Sequence, residues 1–239
     1  MMSSPTQRAL GLLGELMITA GVLLGLFVVY SLWWTDVVAD RRADAEAARV
    51  RQSWGALPRE QGDGRPALAV RGYQAADGLG FLHIPRLGRD YQVLIRTGTT
   101  LDVLDQGVAG AYTEPYRATM PWAGDGNFAL AAHRDGHGAR FHDLPELRRG
   151  DKVVVETRDR WYVYTVDSTL QRTSKYDVGV TAPVPPGSGY TRPGHYLTLT
   201  TCTPAYTSRY RMAVWASLTR TVPVDRARDL PPELGGRSA

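Results

Sequence analysis

From Leu10 to Trp34 the chain is apolar almost without interruption, through GLLGELMITAGVLLGLFVVYSLWW, with Glu15 as its one charge. About 20 apolar residues suffice for a helix across roughly 30 Å of hydrocarbon, and Tyr30, Trp33 and Trp34 supply the aromatic end suited to a membrane interface. Glu15 lies near the start of the run, where its side chain can snorkel to the headgroups, so it is given no catalytic role. A cleavable signal peptide is the competing reading. Its apolar core usually spans only about 7–15 residues and ends in small residues, whereas this run is longer and exits through Trp-Trp-Thr-Asp. A retained single-pass anchor over 10–34 is expected, after a short terminus at 1–9. Positive-inside counting leaves its orientation open, because Arg8 precedes the span while Arg41 and Arg42 follow it among Asp36, Asp40 and Asp44.

The remaining length suits one globular domain with extra segments. Residues Asp36 to Trp54, rich in Ala, Arg, Asp and Glu, read as a helical stalk. A Gly/Pro/Arg-rich linker follows, so that 35–80 form stalk and linker. From Phe81 the texture becomes short β-branched and aromatic runs separated by Gly, Pro and Asp: FLHI, YQVLI, NFALAA, KVVVET, RWYVYTVDSTL, HYLTLTTC and RMAVWASL. Such spacing predicts an antiparallel sandwich or barrel, here over 81–221, with brief helices at Leu101 to Gly107 and Phe141 to Leu147. The tail, 222–239, carries Pro-Pro and Gly-Gly and is expected to fray. The 28 basic and 24 acidic side chains leave a net charge of +4, with Arg scattered along the chain rather than clustered, which is no nucleic-acid footprint.

Chemistry concentrates around a single cysteine. Cys202 has no partner for an intramolecular disulfide, and it ends a Thr-rich strand just before Thr203-Pro204, where a thiol can face a cleft. A thiol becomes a useful nucleophile beside a base or cation. His133 also stands at a strand-to-loop boundary, after Phe128 to Ala132. Arg211 opens the last strong strand nine residues after Cys202, so a hairpin would return its guanidinium beside the thiol. Taken singly, each has a bland alternative as a packed cysteine, a surface histidine and a strand-edge charge. His137 and His142 lie near His133 without a matching carboxylate or Cys set, and no metal site or other cofactor is expected.

TLTTC at Thr198 to Cys202 resembles the Thr-Leu-X-Thr-Cys signature of the sortases. RMAVWA from Arg211 resembles their Arg-hydrophobic strand, and GNFALAAHRDGHGARFHDLPELRRGD from Gly126 resembles their histidine region. HIPRLGRDYQVLI from His83 is similar to their first strands, which makes His83 a structural residue. The anchor and the Arg-rich arm are most similar to class E sortases of actinobacteria. Two features depart from the pattern: Ala132, where the family commonly has Gly, and the YTEPYRATMPWAGDG stretch.

The resemblance implies a closed eight-stranded β-barrel with short helices behind one transmembrane helix. It implies a cysteine transpeptidase that cleaves a C-terminal sorting signal, Leu-Pro-x-Thr-Gly or Leu-Ala-x-Thr-Gly, between Thr and Gly, and passes the acyl group to an amine of a lipid-linked cell-wall precursor or a pilin. Cys202 would be the nucleophile, His133 the acid and base, and Arg211 the oxyanion and substrate contact, with Thr201 and Tyr91 as candidate substrate-binding residues. It also implies a catalytic domain outside the cell membrane and a cytoplasmic amino terminus. A cysteine peptidase, in which water replaces the amine, and a noncatalytic membrane-tethered binding barrel are the rival readings. The Ser-His-Gly-Cys pattern of L,D-transpeptidases is absent.

Overall fold

In the computed structural model, residues 5–56, 78–224 and 230–235 are described. A single helix, α1, occupies Pro5–Ala56. Neither Gly nor Pro interrupts the sequence from Leu26 to Trp54, so nothing ends the helix where the apolar run stops, and its 52 residues extend about 78 Å at 1.5 Å per residue. Its Gly11–Tyr30 segment has a mean hydropathy of 2.3 and is uncovered by the rest of the chain. That segment is a candidate membrane anchor.

Eight strands follow: β1 (Gly80–His83), β2 (Gln92–Thr97), β3 (Ala109–Ala111), β4 (Gly126–Ala131), β5 (Lys152–Glu156), β6 (Arg160–Ser174), β7 (His195–Thr203) and β8 (Tyr210–Pro223). They close in the order β1-β2-β3-β4-β7-β8-β6-β5, with β5 returning to β1. The β2–β3 and β4–β7 pairs are parallel and the rest antiparallel. One helical turn, α2, spans Leu101–Leu104, and a 3₁₀ turn covers Leu144–Glu146. Both fall inside the stretches where the sequence predicts brief helix.

Closure puts alternate residues of each strand inside. Leu82, Val93, Ile95, Phe128, Leu130, Val153, Val155, Tyr164, Leu197, Leu199, Met212 and Val214 belong to one buried core, each large aliphatic or aromatic side chain contributing roughly 1.5–3 kcal/mol. The outer face of β4, β7 and β8 is covered as well, by the connection from β6 to β7. There Val180 packs on Ala213 and Trp215, and Trp215 Nε1 donates to Val180 O at 3.0 Å. Asn127 donates to Ala182 O and accepts from the Thr198 hydroxyl, both at 2.9 Å. Buried polar groups need such partners.

The stalk is not free-standing. Ala43, Val50 and Trp54 are buried and Ala47 is partly so, at the i, i+4, i+7 and i+11 spacing of one helix face. Val50 and Trp54 join Phe81, Leu94 and Val108 in a second cluster, with Trp54 edge-on to Phe81 at 5.2 Å. Arg51 pairs with the fully buried Glu156 at 2.8 Å, and Glu46 with Arg96 at 2.5 Å. The stretch that follows, 57–77, lies outside the described residues. Nor does the described part of the tail fray. Val222 pairs with Trp161 on the β6–β8 ladder, Val222, Val224 and Leu234 pack beside Val154, Trp161 and Val163, and Glu233 pairs with Arg220.

Candidate active site

Strand alternation and register assemble the site. In β7, Leu197 and Leu199 point into the core, so Thr198, Thr200 and Cys202 take the outer row. In β8 the inward residues are Met212, Val214 and Ala216, which puts Arg211 outside. The β7–β8 ladder makes Cys202 the direct partner of Arg211. In β4 and just past its end, where Ala132 N still donates to Thr200 O, Phe128, Leu130 and Ala132 face the core, leaving Ala129, Ala131 and then His133 outside. The parallel β4–β7 register pairs Ala131 with Thr200, so two residues on, His133 comes level with Cys202. Three residues scattered over 79 positions of sequence therefore meet on one patch of barrel wall.

That patch floors an open groove of about 480 Å³, whose lining includes His133, Asp135, Cys202, Tyr206 and Arg211, with Leu104 and Tyr112 along one side. Cys202 is a half-buried free thiol. The loop after His133 is tied to the cysteine strand by Arg134, whose Nη1 donates to Thr203 Oγ1 at 2.9 Å and Cys202 O at 3.3 Å. Arg211 Nη1 donates to Ser208 O and Tyr210 O, at 3.2 and 3.1 Å, which folds the β7–β8 loop around the guanidinium. Tyr112 shares its hydroxyl with Thr200 Oγ1 at 2.9 Å. Burial pushes the Tyr112 phenol above its ordinary pKa, partly offset by Thr200 and Arg211, so it stays a neutral hydroxyl. His133 Nε2 lies 2.8 Å from Asp105 Oδ1.

The other two expected residues are placed differently. The Thr201 hydroxyl is buried and donates to Ala132 O at 2.8 Å, bracing the residue before His133, and Thr201 is part of the groove lining. Tyr91 is absent from the groove. It lines a separate cleft with Ala43 and Ala47 of α1, and its hydroxyl donates to Arg140 O. The turn after the Pro85–Leu87 3₁₀ segment carries Tyr91 toward the docked helix instead. His83 accords with its structural assignment, bonded to buried Glu156 at 3.0 Å. Two groove residues, Tyr112 and Asp135, were missed in the sequence, as was Asp105, which bonds His133. Asp135 has a buried carboxylate oxygen without a hydrogen-bond partner. Spacing offers no signal for Asp105 or Tyr112, which approach only through barrel closure. Among the described residues no group of three or more His, Cys, Asp or Glu forms a metal cage.

Comparison with known proteins gives the family. Residues 82–219 match the sortase domain. The chain belongs to the sortase family. It is 52% identical over 228 residues to Sortase SrtE2 of Streptomyces coelicolor, covering 95% of this chain and 88% of that protein. It is 42% identical over 218 residues to Sortase SrtE1 of the same organism, covering 90% of this chain and 59% of that protein. The crystal structure of Sortase E1 from Streptomyces coelicolor with a tripeptide in the active site superposes with a TM-score of 0.62 at 45% identity, over 66% of this chain and 96% of that one. The chain is thus a sortase transpeptidase of class E kinship, with the eight-stranded closed barrel that the sequence resemblance implies.

Proposed function

We propose that this sortase works through Cys202, His133 and Arg211, cutting a C-terminal sorting signal of the Leu-Pro-x-Thr-Gly or Leu-Ala-x-Thr-Gly type between Thr and Gly. The observation that carries the reading is the register: Cys202 is cross-strand partner to Arg211, and His133 stands level with it just past the end of β4, all three lining one groove. A thiol, an imidazole and a guanidinium supply nucleophile, proton transfer and charge stabilisation without a cofactor.

The Cys202 thiol passes its proton to His133 and its sulfur adds to the Thr carbonyl carbon. The oxyanion that forms is held by Arg211, whose permanently charged guanidinium can donate more than one N–H to it. The C–N bond then breaks, and His133 gives its proton to the departing Gly amine, leaving a thioester. An incoming amine attacks that thioester and yields its proton to His133, and the thiolate leaves. The acceptor is an amine of a lipid-linked cell-wall precursor or a pilin. The Gly11–Tyr30 span holds the barrel on the outer side of the cell membrane with the amino terminus in the cytoplasm. Enzyme, anchored substrate and lipid-linked acceptor then share one surface, which raises their effective concentrations. Helix α1 docks away from the groove, on the β1–β2 side, so the anchor leaves the groove open.

The test uses the full chain in detergent with both peptide types and an amine, wild type against Cys202→Ala, with products read by mass spectrometry. Thr–Gly cleavage with amide transfer, lost in the variant, supports the reading. Hydrolysis without transfer supports a peptidase, and transfer that survives in Cys202→Ala refutes the assignment.

A further inference from the structure

We propose that Asp105 is the positioning residue of this active site, holding the His133 imidazole with its proton on Nε2 and leaving Nδ1 as the nitrogen that exchanges a proton in the groove. The inference rests on the assignment of His133 as acid and base. Asp105 Oδ1 stands 2.8 Å from His133 Nε2, and the histidine side chain is only 19% exposed. An ionised carboxylate only accepts hydrogen bonds, so the ring nitrogen facing it is the donor. In the neutral ring the other nitrogen then carries the lone pair. Nδ1 of His133 has no hydrogen-bond partner among the described residues. The tautomer is thereby fixed by a side chain that the sequence places 28 positions away.

The segment carrying Asp105 is held in place from several sides. Asp105 closes α2 with its N–H on Leu101 O at 2.8 Å. An acid at the carboxyl end of a helical turn does nothing for that turn, where cations are favoured, so its place there is explained by His133 rather than by the helix. Two residues on, Gly107 has φ +71°, a left-handed conformation that favours glycine, and a Cβ there would stand 3.6 Å from the Cβ of Ala43 in α1. Arg140 Nε donates to Gly107 O at 3.0 Å. Gln106 is bonded to Arg96, and Arg96 in turn pairs with Glu46 of α1. The docked end of the anchor helix thus braces the turn that orients the histidine. His137 shares the same carboxylate oxygen at 3.8 Å, its ring 5.4 Å from that of His133, so Asp105 is also the point where a second ring competes for position.

The test compares wild type, Asp105→Ala and His133→Gln as full chains in detergent. Long-range ¹⁵N NMR of the five histidines, with His133 assigned by its loss in His133→Gln, reads the tautomer. Steady-state transfer reads kcat and KM. Asp105→Ala is expected to lower kcat roughly 10- to 100-fold, less than the roughly 10²–10⁴-fold of losing the acid–base group itself because the imidazole remains, with KM changed less than about twofold. His133 should shift from the Nε2–H form to a mixture. Added formate, small enough to occupy the space vacated beside a half-exposed position, should restore both readouts in part, as no merely structural loss would allow. Unchanged kcat, an unchanged tautomer, or a loss that formate leaves untouched overturns the proposal. If wild type itself transfers nothing, the catalytic assignment fails, while the NMR readout still decides whether Asp105 sets the tautomer.

Discussion

Replacing Arg51 by Ala tests whether the docked helix is part of the fold rather than a tether. Its guanidinium reaches both oxygens of Glu156, at 3.0 and 2.8 Å, and lies over the Phe81 ring at 4.3 Å. The Glu156 side chain is fully buried, Arg51 is 36% exposed, and His83 remains on the same carboxylate. Breaking a buried pair costs about 3–5 kcal/mol. Water at the exposed guanidinium and the retained His83 contact bring this to roughly 2–3 kcal/mol, which corresponds to a fall in Tm of roughly 5–10 °C for a chain of this size. The loss depends on pH with a defined sign. Burial raises the Glu156 pKa, but hydrogen bonds from His83 and Arg51 and their charges outweigh it and hold the carboxyl below its ordinary 4.5. A depressed carboxylate pKa contributes stability above the unfolded value, and that stability is lost as pH falls through the folded one. The gap between wild type and Arg51→Ala should therefore be full at pH 7 and close below about pH 4. Thermal unfolding of the full chain in detergent, followed by tryptophan fluorescence across pH 3–7.5, measures it. A gap that is absent at neutral pH, or equal at pH 3 and pH 7, would show that the Arg51–Glu156 pair does not stabilise the fold.

Other outcomes follow from the same packing. Trp54→Ala removes an aromatic that is 4% exposed and should cost about 3 kcal/mol, at the low end for such truncations because the cluster lies at the barrel surface, and denaturant titration reads it. Asn127→Ala strips the partners of the Thr198 hydroxyl and Ala182 O and should cost about 1–3 kcal/mol, visible as a lower Tm with no change in thiol alkylation at Cys202. Arg211→Lys keeps the charge but loses the fork, so kcat for transfer should fall roughly 100-fold while the fold, read by circular dichroism, is unchanged.

Much of this architecture was legible in the sequence because strand period and turn residues carry it. Seven of the eight strands coincide with apolar runs such as KVVVET and RMAVWASL. The eighth, β3, is only Ala109–Ala111, three small residues with no periodic signal, and its pairings to β2 and β4 exist only after closure. Cys202 and Arg211 were readable because one hairpin joins them, and His133 because its strand ends in a recognisable motif. Asp105 was not, since its contact with His133 depends on a parallel β2–β3 crossing that nothing local announces. Tyr91 was misplaced for a related reason: strand alternation sets the face a residue takes, but Tyr91 lies in the turn before β2, where the neighbouring helix α1 decides its direction. The stalk's helical content was evident from composition. Its docking was not, because Ala43, Val50 and Trp54 form a stripe too sparse to distinguish from a solvent-facing helix.

Whether acyl transfer passes through Cys202 is decided by intact-mass spectrometry of the full chain. Incubated with a sorting-signal peptide and no amine, the wild-type chain should gain the mass of the peptide's acyl portion on Cys202, and the adduct should discharge on addition of the amine, with no adduct on Cys202→Ala. An adduct mapped to another residue, or transfer product formed by Cys202→Ala, contradicts the account.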